Sequence, residues 1–313
     1  MGNNLTVAFL AAKDRYNAKE YPEALAQFKA LGEQSHAESI YMMGQMYYNG
    51  ERCQKDFNEA YKHFLKAHTL KETKATFRVA MCLLNGHGIS KDEKEAIKYL
   101  QEAHSKSHTE ASYELGAILR REKNIVEAVK CFKEAHSKGH REATYTLGLI
   151  AFFGEGPMEK DPKTAKVYFE EAYAKGHTEA TYQLGFMHQN GFATEADSKL
   201  SLKYYEESYQ KGFIRSAYHL GQILLESANP EDHHLALKYL AEARAAGDTD
   251  AIELLGNLYL NGSATIPRDK KEADKCFHEA YGKGSGHLSY QIAENYAIRT
   301  DSAESRTNKS FLV

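Results

Sequence analysis

The chain has 313 residues, 42% of them hydrophobic, with 40 basic against 43 acidic side chains and a net charge of -3. That balance gives no bulk attraction for nucleic acid, and no stretch approaches the run of about 18 apolar residues that a membrane helix needs. The opening MGNNLTVAFLAAKDRY lacks the basic segment, apolar core and small-residue cleavage site of a secretory signal, so the expected compartment is the cytosol. Cys53, Cys82, Cys131 and Cys276 accordingly read as free thiols. Met1-Gly2 with Thr6 fits the N-myristoylation pattern, which would add one weak, peripheral membrane anchor at Gly2.

The first predicted hairpin runs over 3–17 and 22–33, with Pro22 near the start of its second helix, where a missing N–H is tolerated. That second helix, called B, carries Ala24, Phe28 and Leu31 at spacings of four and three, a small-large-small stripe on one face. The stripe then recurs as Ala60/Phe64/Ala67, Ala96/Leu100/Ala103, Ala128/Phe132/Ala135 and Ala165/Phe169/Ala172. It continues as Ser201/Tyr205/Ser208, Ala236/Leu240/Ala243 and Ala273/Phe277/Ala280. Most B helices stop at a glycine (Gly139, Gly176, Gly212, Gly247, Gly284), as where a chain turns left-handed; Ser35, Lys71 and Ser107 stand in three units.

The helix that follows, A, often begins after a histidine with an acidic first turn, which complements the helix dipole. It carries a Leu-Gly pair whose glycine falls at Gly44, Gly116, Gly148, Gly185, Gly221 and Gly256, with Ala12, Ala80 and Ala293 in the same phase. Successive spacings of 32 to 37 residues match stacked helical hairpins. Mid-helix glycine costs about 1 kcal/mol against alanine, so close approach by a crossing B helix is the expected cause, with methyl the largest side chain that fits. Turns such as Asn49-Gly50 and Asn85-Gly86-His87-Gly88 join A to B, while the Gly116 unit has Arg120–Asn124 without glycine.

The recurring A-x-x-x-L-G-x-x-Y…N-G-x-G-I-x-x-D-x-x-x-A-x-x-Y-[FL]-x-x-A-x-x-x-G pattern resembles the Sel-like repeat (SLR) family, relatives of the tetratricopeptide repeats. It covers residues 3 to 297 in about eight units. There is no tryptophan, so Tyr99, Tyr168, Tyr204 or Tyr239 fills the aromatic place in helix B, and the disulfide pairing of some secreted members is missing. The resemblance implies an all-α fold: a right-handed superhelical solenoid of about eight antiparallel helix pairs plus a C-terminal capping helix, over residues 1–298. Residues 299–313 read as a polar, disordered tail. It also implies a non-catalytic adaptor that holds other proteins.

At roughly 100° per residue, positions three and six before the Leu-Gly glycine lie opposite the packing face. The first row holds Tyr41, Phe77, Tyr113, Tyr145, Tyr182, Tyr218 and Tyr290, broken by Glu253; the second is largely acidic, with Glu110, Glu142 and Glu179. Stacked A helices line the inner curve of a superhelix, so this concave face is the expected site for an extended peptide or helix of a partner, its carboxylates favouring Lys or Arg. The alternative is that the rings stack between repeats. Histidine pairs His104/His108 and His136/His140 have metal-ligand spacing but straddle helix ends, and the glycine turns lack the strand and Gly-Lys-Ser/Thr of a phosphate loop. No cofactor, metal or catalytic set is expected. Two other functions stay open: a lipid-anchored regulatory subunit of a membrane enzyme, and a bacterial effector whose tail, ending Phe311-Leu312-Val313, serves as export or docking signal.

Overall fold

The computed structural model describes residues 2–51, 54–263 and 265–284. The expected capping helix, the tail from 299, Tyr290, Ala293 and Cys53 lie outside them. Among the described residues there are sixteen α-helices and no strand. The chain divides into two compact units, residues 1–168 and 169–313. The first holds α1 (Gly2–Asn17), α2 (Tyr21–Glu33), α3 (Ala37–Asn49), α4 (Phe57–Thr69), α5 (Thr73–Asn85), α6 (Glu93–Ser105), α7 (Thr109–Arg121), α8 (Ile125–Ser137) and α9 (Arg141–Phe153). The boundary falls within α10 (Pro162–Ala174). The second unit continues with α11 (Thr178–Asn190), α12 (Ser198–Gln210), α13 (Ser216–Leu225), α14 (Pro230–Ala245), α15 (Thr249–Asn261) and α16 (Lys270–Gly282). Odd-numbered helices are the A helices, even-numbered the B helices. Within each unit a helix packs on the helices before and after it, so the core is a row of small clusters rather than one interior.

All eight B-helix stripes are buried, none of their residues exposing more than 5%. In five repeats the large middle residue points at the mid-helix glycine of its own A helix. A Cβ built on Gly44 would lie 2.6 Å from the Phe64 ring, on Gly116 2.8 Å from Phe132, on Gly221 2.6 Å from Leu240 and on Gly256 2.5 Å from Phe277. The steric limit is therefore tighter than the sequence pattern implies: at these crossings even a methyl group is too large.

Helix ends follow a repeated chemistry. The B helices α4, α6, α12 and α16 are capped by Asp56, Asp92, Asp197 and Asp269, each accepting the N–H three residues on at 3.0 Å. The backbone N–H of the same aspartates donates to the preceding A helix, at Tyr47, Leu83, His188 and Tyr259 (2.8 to 3.0 Å), which closes each A–B turn. The loop after α5 packs on the preceding repeat: His87 stacks on Phe57 at 4.4 Å and shares a 2.8 Å hydrogen bond with the Tyr48 hydroxyl. A side chain at Gly88 would strike the Phe57 carbonyl.

At the B–A junctions the glycines have φ of 77 to 89°, and Ser35, Lys71 and Ser107 are held at 61, 68 and 61°. A side chain in this left-handed region costs roughly 1–2 kcal/mol, part of which glycine would return as unfolded-chain entropy. Ser107→Gly is accordingly expected to stabilise the fold by about 0.5 kcal/mol, seen as a higher urea midpoint with unchanged slope; an unchanged or lower midpoint would contradict it.

Candidate functional site

The aromatic row three residues before each Leu-Gly glycine is half-buried wherever it is described. Three rings lean on the B-helix stripe of their own repeat: Tyr41 on Phe64 (5.9 Å between centroids), Tyr113 on Phe132 (5.8 Å) and Tyr182 on Tyr205 (5.5 Å). The row's other side meets the start of the next A helix. Phe77 stacks on His108 at 4.8 Å and Tyr113 on His140 at 4.5 Å. Phe9 has the same phase before Ala12 and sits likewise against His36 at 5.0 Å. The row thus takes part in joining repeats while keeping one edge toward solvent.

The histidines met by Phe9, Phe77 and Tyr113 are helix N-caps, and so is His177. Nδ1 of His36, His108, His140 and His177 accepts the N–H of Ser39, Ala111, Ala143 and Ala180 at 3.2 to 3.3 Å. The other member of each metal-like pair is engaged elsewhere: His104 Nδ1 meets Ser112 Oγ and His136 Nδ1 meets Thr144 Oγ1, both at 2.9 Å. Burial, opposed by Glu110 and aided by Arg78 and Lys74, holds the His108 imidazole below its ordinary value. It stays neutral, and Nδ1 keeps the lone pair that caps α7.

In the first unit the A-helix face opens into two hollows. One, of about 240 Å³, is lined by Tyr41, Lys74, Phe77, Arg78, His108 and Glu110. The other, of about 380 Å³, is bounded by Tyr113, Ala117, Arg120, Arg121, Phe132, Thr146 and Glu155. The predicted residues Tyr41, Phe77 and Glu110 therefore come together, and Tyr113 rims the neighbouring space. The carboxylates are less free than their row suggests. Glu110 Oε2 lies 3.3 Å from His108 Nδ1, Glu142 takes a 2.8 Å hydrogen bond from Arg141 Nε, and Glu38 pairs with Lys74 at 3.4 Å. What the sequence reading missed is the basic side chains of neighbouring phases, Arg78 and Arg120 above all, which line these hollows. Tyr145 is half-buried on α9 and Gly148 is buried there.

The second unit differs. Tyr182 shares a 2.9 Å hydrogen bond with His219 Nε2, and Glu179 lies 3.2 Å from His177. Tyr218 accepts from Gln222 at 2.9 Å. Burial, then the carboxylates of Asp250, Asp248 and Glu253, raise the Tyr218 hydroxyl above its ordinary value. Cys82, Cys131 and Cys276 are buried free thiols, and burial pushes Cys82 and Cys131 up to about 11, far from reactive thiolates.

A family model described as Sel1 repeat matches residues 37–67, 73–108, 109–140, 141–177, 178–213, 214–248 and 249–285. The chain belongs to the Sel1 repeat family. Each matched Sel1 repeat starts at or near the beginning of an A helix, and the short 109–140 unit is among them, whereas α1 and α2 precede the first. Among solved structures, c5321 of uropathogenic Escherichia coli, described as a protective antigen displaying an SLR fold, is 20% identical with a TM-score of 0.78 over 88% of this chain and 60% of that one. The chain thus spans 60% of the length of c5321. A Sel1 repeat protein of Oxalobacter formigenes is 23% identical, TM-score 0.61, over 88% of this chain and 99% of that one. At these identities the likeness is one of fold. No curated protein sequence matches. Sel1 repeats typically serve as protein-interaction scaffolds. Among the described residues no helix is long and apolar enough to cross a membrane.

Proposed function

We propose that this Sel1 repeat protein is a non-catalytic adaptor that binds an extended or helical segment of a partner protein on the A-helix face of its first unit. The observation that carries the reading is the pair of hollows between successive A helices, each rimmed by half-buried rings of the Tyr41, Phe77 and Tyr113 row. Such rings offer broad contact area with little rotamer entropy to lose.

The test uses charge reversal at two exposed rim residues, Lys74→Glu with Arg121→Glu, against a control on the B helices, Lys98→Glu with Lys130→Glu. All four side chains are exposed. Partners captured from the native cell by the unaltered protein and by the control are expected to be absent with the A-face variant, at an unchanged melting temperature. Capture of the same partners by both variants would reject the assignment.

A further inference from the structure

The smaller hollow holds an arginine without a counter-charge. Of its other charged groups, Lys74 Nζ is 3.4 Å from Glu38, and Glu110 Oε2 lies 3.3 Å from Nδ1 of the neutral His108 ring, with which it forms no ion pair. In the larger hollow Arg120 is bound by Glu155, its Nε at 2.7 Å and its Nη2 closer still, and Arg121 reaches Glu93 at 2.5 Å. Arg78 has no carboxylate within ion-pairing distance among the described residues; its guanidinium lies over the Tyr48 ring, 5.9 Å from the centroid. It is half-buried, so water reaches only part of a group with five N–H donors in a planar fork.

We infer that the Arg78 hollow is a pocket for an acidic side chain, Asp or Glu, of the partner segment, with an adjacent apolar residue resting on Phe77 and Tyr41. A carboxylate is the ligand that a guanidinium fork matches with two parallel charge-assisted hydrogen bonds. Lys74 on the rim adds attraction of the same sign, and Glu110, although it lines the hollow, is beyond ion-pairing distance of Arg78 and leaves the fork unoccupied. The inference rests on the A-helix face being a protein-binding surface, and it reverses the preference for basic partners that the acidic row alone suggests for this part of the face.

The experiment pans a phage-displayed library of short random peptides against the full chain and resynthesises the enriched sequences for fluorescence anisotropy. Enriched peptides are expected to share an Asp or Glu next to an aromatic or aliphatic residue. Arg78→Gln should weaken their binding about tenfold or more, and exchanging the peptide's acid for its amide should do the same. Arg78→Lys, which keeps charge but not the fork, should fall between, while Lys130→Gln on α8 leaves binding unchanged. Peptides that are basic or neutral yet lost with Lys74→Glu and Arg121→Glu would overturn the Arg78 assignment and leave the face standing. Peptides indifferent to every A-face variant, or no enrichment at all, would sink both. Displacement of the acidic peptide by a single-stranded DNA oligonucleotide at equal potency would also overturn it, in favour of a plain phosphate site.

Discussion

Gly44→Ala is expected to destabilise the protein by about 2 kcal/mol, although alanine is the better helix former by about 1 kcal/mol. The new methyl would stand 2.6 Å from two carbons of the Phe64 ring and 3.3 Å from the Ala60 carbonyl oxygen. Phe64 is fully buried and held by Tyr41 and Tyr48, so its ring has nowhere to swing. Relief requires α3 and α4 to separate, and interiors packed to crystal density resist that. In the next repeat an alanine, Ala80, is accommodated in phase with a smaller residue, Leu100, and both are fully buried, although leucine alone does not make the room, since a Cβ on Gly221 would lie 2.6 Å from Leu240.

Gly44→Ala combined with Phe64→Leu reproduces that pair, and it should recover about half of the loss. Phe64→Leu by itself leaves a void and is expected to cost about 1 kcal/mol. The double-mutant cycle, read by urea denaturation, should therefore show a coupling of about 1–2 kcal/mol favouring the combination. Additive costs, or a Gly44→Ala variant as stable as the parent, would mean that the glycine is not kept by this crossing.

Much of this fold was legible because a repeat writes the same physical demand many times. One Ala-Phe-Ala stripe is weak, but eight in phase place a buried seam, and all eight are buried. The left-handed turns were legible where glycine marks them and illegible at Ser35, Lys71 and Ser107, where neighbouring structure imposes the same φ on residues that pay strain for it. The histidine caps went unread since histidine is not among the usual capping residues, even though its recurrence before most of the acidic first turns was plain. On the candidate face, the helical wheel chose the side on which Tyr41, Phe77 and Tyr113 lie but not their neighbours. A ring's contact with the following repeat's histidine depends on helix-to-helix distance, and so does the approach of Arg78, two residues before its alanine, into the hollow of the Tyr41 and Phe77 rings. Sign is lost the same way: the row of Glu110, Glu142 and Glu179 reads acidic along one phase, while Arg141 pairs with Glu142 and Lys74 and Arg78 share the hollow that Glu110 lines.

Acidification should loosen the second unit through His219. Its ring is stacked on the fully buried Tyr205 at 4.8 Å with an interplanar angle of 5°, and Nε2 shares the hydroxyl of Tyr182. Burial, opposed by Gln222 and Asp248 and reinforced by Arg215, pushes the imidazole down to about 4 from an ordinary 6.5. The unfolded chain therefore takes up the proton first. Stability is unaffected above about pH 6.5, falls as pH drops below it, and levels off near pH 4, for a total of about 3 kcal/mol from this one group. His219→Phe keeps the stacked ring and removes the titration, though it gives up the hydrogen bond with the Tyr182 hydroxyl at a cost of about 1 kcal/mol at neutral pH. Carboxylates whose acidity is strengthened by the fold, Glu207 among them, lose stability over part of the same range in both proteins, so the difference between them isolates the histidine. Because repeat arrays can open locally, the readout is hydrogen exchange of the α11 to α13 amides alongside urea denaturation at pH 7.5 and 5. The parent should lose about 2 kcal/mol more than the variant between those two pH values. Parallel losses would show that His219 takes up its proton as readily in the folded state as in the unfolded one.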